Sequence, residues 1–143
     1  MPQRPHLLAG TIAEAIRLGT PDATSAEIAD AARRAGAESF IVALPDAYET
    51  RVGDGGAGLS AGQLRRIALA RALIRDASLV ILDEPTTSLD EESARLVAES
   101  LERLPRSGTM LLITHDEALA RRVADRIVGM SDGHIVPASE VSV

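Results

Sequence analysis

Acidic and imidazole side chains follow two apolar stretches of the sequence, at the point where each stretch ends. Asp83 and Glu84 come directly after Leu79–Leu82, and His115 lies two residues beyond Met110–Ile113. Short, wholly apolar stretches of this kind are typical of strands in a buried parallel sheet. The carboxyl ends of such strands form the edge where open α/β sheets bind ligands. At that edge one carboxylate can hold Mg²⁺, the second can orient a water molecule, and the imidazole can contact a phosphate group.

The two acidic residues also have a purely structural interpretation. Asp83 and Glu84 can cap the loop that leads into the next helix, and a lone Asp-Glu pair would leave both interpretations equally open. The polar stretch 86–90 and His115 add groups that a cap does not need. The combination therefore favours a ligand-binding rim.

A second candidate ligand site is the start of a predicted helix at Ser60. Ser60 and Gln63 have the spacing of a capping box, in which each side chain binds the backbone N–H of the other residue. A helix start with a hydroxyl group, small residues and exposed N–H groups is also an anion site. The motif alone favours the cap. Its place between the glycine-rich stretch 53–58 and "RRIALARAL" makes the anion site the more specific interpretation.

The elements that must position these groups divide the chain into a helical first half and an α/β second half. Thr11–Leu18 has the apolar spacing of a short helix. Thr24 and Glu27 predict a capping box before a second helix, which we expect to end at Gly36. A third apolar cluster contains Phe40, Ile41 and Leu44. Residues 64–76 again have helical spacing.

The second half predicts a β–α–β unit, which should have a right-handed crossover between parallel strands. The predicted elements are strands at 79–82 and 110–113, a helix between them capped by Asp90 and stopped by Pro105, a helix opened by Asp116, and a hairpin over 126–136 that turns at Asp132-Gly133. Both strands are expected to be buried, because their residues are apolar without alternation.

Composition limits the class of protein. The 143 residues suffice for one domain or part of one, and 45% of them are hydrophobic. A net charge of −6 argues against a nucleic-acid partner, which needs a basic face. The absence of cysteine excludes disulfides and thiolate metal sites. No apolar run approaches the roughly 18 residues of a membrane span, and no signal-peptide pattern opens the chain, so we expect a soluble chain in the cytosol.

Taken in order, these motifs resemble those of the nucleotide-binding domain of ATP-binding cassette (ABC) transporters. "LSAGQ" (Leu59–Gln63) is similar to the signature motif of that family, with Ala61 where glycine is more common, and "LVILDE" (Leu79–Glu84) is similar to its Walker B strand. Further similarities are those of Thr87–Asp90 to the D-loop, His115 to the switch histidine, Pro2-Gln3 to the Q-loop, and Glu49–Gly56 to the loop that exporters place before the signature. The resemblance covers nearly the whole chain.

The resemblance implies roles for four residues at the nucleotide's own site. Asp83 would hold Mg²⁺ through water, and Glu84 would be the general base that orients the attacking water. His115 would contact the γ-phosphate of ATP. Gln3 would sense Mg²⁺ and the membrane domain, although a solvated terminal residue is the alternative for Gln3.

The same resemblance implies a second set of residues that act on another subunit's nucleotide. The family holds ATP between two nucleotide-binding domains arranged head to tail, as a homodimer or a heterodimer. Ser60, Gly62 and Gln63 would therefore contact the nucleotide of the partner domain. Asp90 would couple the two sites, with a simple helix cap as the alternative.

The fold class that the resemblance implies is α/β: the parallel sheet of a P-loop NTPase with an inserted α-helical subdomain. Residues 1–143 would form a partial ABC ATP-binding domain, helical over about 10–75 and α/β over about 76–143. The family's phosphate loop is G-x-x-x-x-G-K-[ST], and the chain contains no lysine. We therefore expect the phosphate loop and the first strands to be missing from this chain, and the isolated chain to bind ATP weakly and to lack activity.

Within the family, the motifs are most similar to exporters with a fused membrane domain, such as the thiol-reductant (cysteine/glutathione) exporter of cytochrome bd assembly. The implied function is an ATPase that drives export, with a transmembrane domain as partner, at the cytoplasmic face of the cell membrane. One alternative is a non-catalytic fragment that serves at most as an interaction module. Another is an ABC-type ATPase of DNA repair or translation, which the acidic composition disfavours. The sequence leaves the cargo open.

Overall fold

The computed structural model describes residues 9–18, 20–53, 58–104 and 108–136. Its elements are, in order, β1 (Gly10–Thr11), α1 (Ile12–Arg17), α2 (Ser25–Arg34), α3 (Glu38–Val42), a 3₁₀ turn (Ala47–Glu49), β2 (Arg51–Val52), α4 (Ala61–Leu73), β3 (Leu79–Asp83), α5 (Glu91–Glu102), β4 (Thr109–Ile113), α6 (Glu117–Val123), β5 (Gly129–Ser131) and β6 (His134–Val136). The predicted Q-loop at Pro2-Gln3, the end of the pre-signature loop and Pro105 lie outside these residues. Among the helices that the structure describes, none is long and apolar enough to cross a membrane.

The predicted capping boxes fix where the helices begin. At α2 the Thr24 N–H donates to Glu27 Oε2 at 2.7 Å, and the Glu27 N–H donates back to Thr24 Oγ1 at 3.3 Å. At α4 the Ser60 N–H donates to Gln63 Oε1 at 2.8 Å, and the Gln63 N–H donates to Ser60 Oγ at 3.2 Å. Each box satisfies two N–H groups that a helix start otherwise leaves unpaired. Both predicted helix starts are confirmed.

Helix α2 ends at the predicted glycine through a Schellman motif. Gly36 has φ +65°, and its N–H donates to the Arg33 carbonyl at 3.0 Å. The Ala37 N–H donates to the Ala32 carbonyl at 2.7 Å. Glycine suits this position because it adopts positive φ without a Cβ clash. The stop at Gly36 is confirmed.

The first half packs as a helical layer around α4. Helices α1 and α2 both contact α4. The largest side chains of this layer that are fully buried are Ile12, Ile16, Ile41, Ile67 and Leu69. The Arg66 guanidinium lies 4.9 Å from the ring centre of Phe40 and donates to the Gly36 carbonyl at 3.0 Å. Strands β1 and β2 form a two-residue antiparallel pair, which the sequence pattern did not predict.

The second half contains the predicted β–α–β unit. Strands β3 and β4 are parallel, with register from Leu79 opposite Thr109 to Asp83 opposite Ile113, and α5 connects them. Strands β5 and β6 form an antiparallel hairpin. Its turn lies at the predicted Asp132-Gly133, where both residues have positive φ, as type I′ hairpin turns require.

Strands β3 and β4 are buried on one face only, so the expectation of buried strands is confirmed for that face and wrong for the other. On one face, Leu82 is fully buried, and Val80, Met110 and Leu112 pack against the core. On the other face, four apolar side chains are about half exposed: Leu79 (50%), Ile81 (45%), Leu111 (49%) and Ile113 (48%). An all-apolar strand carries no polar side to mark its outer face, so the sequence pattern could not separate the two faces.

This asymmetry predicts different costs for the same substitution on the two faces. Leu82→Ala removes a fully buried side chain and should lower the free energy of unfolding of the chain by about 2–5 kcal/mol. Leu111→Ala makes the same chemical change at a half-exposed position and should cost less than half as much. Urea unfolding of the two variants at one protein concentration measures both values. Equal losses would contradict the one-sided burial.

Candidate functional site

Glu84 leaves β3 in a backbone conformation that is uncommon for a side-chain-bearing residue. Its φ is +47°, which costs on the order of 1–3 kcal/mol. The Glu84 N–H donates to the Ile113 carbonyl at 2.9 Å, which extends the β3–β4 pairing by one residue. The turn therefore places the Glu84 side chain at the carboxyl edge of the parallel pair, as the sequence predicted.

Two side chains hold the Glu84 carboxylate. The Thr87 hydroxyl donates to Glu84 Oε2 at 2.7 Å. The Nδ1 atom of His115 lies 2.8 Å from Glu84 Oε1, and the His115 backbone N–H donates to the same oxygen at 3.2 Å. The convergence of Glu84 and His115 at one edge, which the sequence predicted, is therefore observed. Thr87 had been named only as part of the D-loop, and its contact with Glu84 is new.

Glu84 and His115 shift each other's pKa toward the charged forms. Burial raises the pKa of Glu84, but hydrogen bonds from His115 and Thr87 together outweigh burial, so that this pKa lies below its ordinary value. The hydrogen bond to Glu84, and then the charge of Glu84, raises the pKa of His115. The carboxylate is only 17% exposed, whereas the imidazole is 71% exposed. The imidazole is thus open to a ligand while it orients the carboxylate.

Asp83 has the position of a metal-holding carboxylate beside Glu84. It ends β3 on the same face as Ile81, because side chains alternate along a strand. Within the ranges that the structure describes, no group of three or more His, Cys, Asp or Glu residues could hold a metal ion. Mg²⁺ in phosphate-handling sites takes one or two carboxylates and completes its shell with substrate phosphates and water. Asp83 supplies one carboxylate of the kind that such a Mg²⁺ takes, and its role as a metal ligand stays a prediction.

The start of α4 presents the second candidate site. Ser60 and Ala61 are exposed, and Gln63 is half-buried. The Ser60 hydroxyl accepts the Gln63 N–H and still has a proton to donate. The oxygen of the Gln63 amide is engaged by the cap. The cap therefore leaves the exposed Ser60 hydroxyl able to donate to an anion, and the anion site stays a prediction.

Gly62 differs from its neighbours because it is buried against the start of α5. A Cβ atom at Gly62 would lie 2.3 Å from Ser93 Oγ and 2.6 Å from Ser93 Cβ. Non-bonded carbon and oxygen atoms do not approach this closely. The absence of a side chain at Gly62 therefore lets α4 and α5 lie close together. Packing alone therefore accounts for glycine here, whatever role it has toward a nucleotide.

Arg65 is a residue of the site that sequence analysis missed. Its side chain is 6% exposed, and its guanidinium donates to the backbone carbonyls of Glu84 and Thr87. Burial lowers the pKa of Arg65, and the negative charge of Glu84 opposes this shift. The sequence did contain a signal for this contact: Arg65 and Arg66 lie within the apolar stretch of α4. Arginine that is buried normally has a partner, so this pair could have indicated a contact with another element.

Asp90 caps α5. Its Oδ1 atom accepts the Ser93 N–H at 2.9 Å, and this hydrogen bond is the main cause that lowers the pKa of Asp90. The structural interpretation of Asp90 is therefore confirmed, while its coupling role stays a prediction. Gln3, the other residue with two interpretations, lies outside the described residues.

A parallel β–α–β unit with a carboxylate, an imidazole and a second acidic residue at its carboxyl edge defines an α/β ligand-binding domain. Comparison with known families is more specific. Residues 1–87 match the family model described as "ABC transporter". The chain therefore belongs to the ABC transporter family and carries part of its ATP-binding domain.

Individual relatives agree with this assignment. The chain is 45% identical to ABC transporter B family member 1 of Arabidopsis thaliana, over 93% of this chain and 10% of that protein. It is 46% identical to the mitochondrial potassium channel ATP-binding subunit of Xenopus tropicalis, over 93% of this chain and 19% of that protein. It is 43% identical to ABC transporter B family member 13 of Arabidopsis thaliana, over 93% of this chain and 11% of that protein. The chain thus spans between a tenth and a fifth of the length of these relatives.

The charged pair makes a prediction for the titration of His115. Its pKa should exceed about 6.5, the ordinary value for histidine, because Glu84 stabilises the imidazolium. The stabilisation of the fold is then complete below pH about 6.5 and is lost as pH rises through the raised pKa. NMR titration of the imidazole should show a lower pKa in Glu84→Gln. Asp116→Asn is the matched control, because Asp116 also raises this pKa but is the smallest cause. Equal shifts in the two variants would argue against the pair.

The close approach at Gly62 makes a second prediction. Gly62→Ala should lower the free energy of unfolding by about 1–3 kcal/mol, because the new methyl group overlaps Ser93. Ser93→Gly should relieve this overlap, so the double variant should lose less than the sum of the two single losses. Ala61→Ser, at the exposed neighbouring position, serves as a control and should change stability by no more than about 0.5 kcal/mol. Additive losses would mean that the two residues do not touch.

Proposed function

We propose that this chain supplies the hydrolytic edge of the ATP-binding domain of an ABC exporter, with Glu84 as the general base. The observation that carries this proposal is the Glu84 carboxylate, held by Thr87 and His115 at the carboxyl edge of β3 and β4. A general base needs a fixed position more than it needs strength, because it must align a water with the phosphate. Its lowered pKa keeps it ionised at neutral pH.

The neighbouring groups have matching roles in this proposal. Asp83 would hold Mg²⁺, which neutralises charge on the transferred phosphoryl group of ATP. His115 would donate from its exposed imidazole to the γ-phosphate, while its Nδ1 atom stays on Glu84. Gln3 would report on Mg²⁺ and on the membrane domain. Lowered pKa at Glu84 and raised pKa at His115 both favour the charged forms that these roles require.

The start of α4 would serve a different nucleotide. Ser60, Gly62 and Gln63 belong to the helix start, whereas Glu84 and His115 belong to the strand edge. In a head-to-tail pair of nucleotide-binding domains, the Ser60 end would meet the ATP of the partner domain, and Asp90 would couple the two sites. The partner is a second ABC nucleotide-binding domain, and no nucleic acid is involved. A helix N-terminus favours the anionic phosphates by its dipole.

The wider context of the proposal is a transporter at the cytoplasmic face of the cell membrane. The relatives named ABC transporter B family members support an exporter with a transmembrane domain as partner. The thiol-reductant exporter of cytochrome bd assembly is the subfamily that the motifs suggested, and export of cysteine or glutathione is part of the proposal. The alternative, a non-catalytic interaction module, predicts that Glu84 has no effect on ATP hydrolysis.

Replacement of Glu84 tests the proposal in the full-length protein. Glu84→Gln keeps the size of the side chain but removes the charge, so it should lower the rate of ATP hydrolysis by about 10²–10⁴-fold. Binding of Mg-ATP should be kept, as measured by equilibrium binding of labelled nucleotide. Glu91→Gln makes the same change at an exposed position in the first turn of α5 and should keep the rate. A Glu84→Gln protein that hydrolyses ATP as fast as Glu91→Gln would favour the non-catalytic alternative.

A further inference from the structure

Arg65 is a buried cation that contacts the turn after β3 at two points. Its Nη1 atom donates to the Glu84 carbonyl at 2.6 Å, and its Nη2 atom donates to the Thr87 carbonyl at 2.6 Å. A guanidinium desolvated to this degree costs free energy, which short charge-assisted hydrogen bonds offset. The planar fork of arginine suits two acceptors at fixed positions, whereas the ammonium of lysine is a single point of contact.

Arg65 adds two hydrogen bonds to a turn that has two backbone hydrogen bonds of its own. The Thr87 N–H donates to the Glu84 carbonyl at 3.4 Å, and the Leu89 N–H donates to the Thr86 carbonyl at 3.2 Å. Glu84 and Ser88 both have positive φ, at +47° and +62°. A strained turn persists only where its surroundings hold it. At 2.6 Å, the two hydrogen bonds from Arg65 are shorter than either of these backbone bonds, and the Thr87 hydroxyl adds a side-chain bond to Glu84 at 2.7 Å.

Glu84 and Thr87, whose carbonyls accept from Arg65, also determine the position of the carboxylate. Glu84 carries it, and the Thr87 hydroxyl donates to it at 2.7 Å. We infer that Arg65 is a positioning residue for the Glu84 carboxylate: its guanidinium fixes the backbone of both Glu84 and Thr87, and so sets where the carboxylate points. This inference rests on the proposed role of Glu84 as general base.

Arg65 also connects the two candidate sites, because it lies in the helix that begins at Ser60. Arg65 lies in α4, whose start at Ser60 is the candidate anion site. A displacement of this helix start would therefore reach the Glu84–Thr87 turn through one side chain. Within one chain, Arg65 connects the group that faces the partner's nucleotide with the group that acts on the chain's own nucleotide.

The inference is tested by a pair of variants of similar length in the full-length protein. Arg65→Met removes every hydrogen-bond donor, whereas Arg65→Lys keeps a charged donor with nearly the reach of arginine. We expect Arg65→Met to lower kcat for ATP hydrolysis by about 10–100-fold through misplacement of the base. The KM for ATP should stay within about 3-fold, since no nucleotide contact is removed. Arg65→Lys should recover part of the lost kcat, because an ammonium group replaces one of the two contacts.

Two further measurements separate positioning from a general structural role. Arg66→Met removes an equally buried guanidinium from the same helix, and Arg66 donates to the carbonyls of Gly36 and Gly62 and lies over Phe40 instead of contacting the turn. Its kcat loss measures the general cost of the change, and the loss in Arg65→Met should be larger. In the Glu84→Gln background, Arg65→Met should cause no further loss, because it acts through a carboxylate that is already gone.

The outcomes that overturn the inference are distinct from those that overturn the proposed function. Equal kcat in Arg65→Met and Arg65→Lys, or a loss as large in the Glu84→Gln background as in the wild type, overturns the inference. If neither Arg65→Met nor Arg65→Lys folds where Arg66→Met folds, the role of Arg65 is structural and the inference is also overturned. Hydrolysis that survives Glu84→Gln overturns the proposed function itself. Hydrolysis lost in Glu84→Gln but kept in Arg65→Met overturns the inference alone.

Discussion

The two hydrogen bonds from the Arg65 guanidinium to the carbonyls of Glu84 and Thr87 connect the helical layer of the chain to the edge of its sheet. Helix α4 carries Arg65 and contacts α1, α2 and α5. The Gly62–Ser93 contact supports the same connection, because it allows α4 and α5 to approach closely. These contacts join the strand edge to the helical half, and the two hydrogen bonds offset the cost of burying the Arg65 guanidinium.

The Glu84 carboxylate is contacted by two other polar side chains of the site, Thr87 and His115. Thr87 holds one of its oxygens and His115 holds the other, so the carboxylate has little freedom to rotate. The positive φ of Glu84 directs the chain away from β3 at the point where a parallel strand pair ends. Strain at this residue is balanced by contacts from three elements: α4, β4 and the turn itself. This arrangement keeps a charged group fixed and only partly exposed, as general bases require.

Local spacing made much of the fold and part of the site predictable. Capping boxes, the glycine stop of α2 and the turn at Asp132-Gly133 depend on residues within a few positions of one another, and they occur as predicted. The meeting of Glu84 and His115 followed from parallel strand pairing. By contrast, Arg65 binds carbonyls of residues 19 and 22 positions away, and the contact of Gly62 with Ser93 joins two helices. The packing of distant residues also decides which face of β3 is covered. The sequence of β3 cannot show this, because its side chains are apolar on both faces.

In the proposed function, one chain contributes its strand edge to one nucleotide and its α4 start to another. A structure of the full-length Glu84→Gln protein with Mg-ATP measures this directly. We expect the side chain at position 84 and His115 to approach the γ-phosphate of one ATP. The Ser60 hydroxyl should then lie within hydrogen-bonding distance, about 2.5–3.2 Å, of a different ATP. If Ser60 and residue 84 of one chain contact the same phosphate group, or if Ser60 contacts no nucleotide, the division of the two half-sites is wrong.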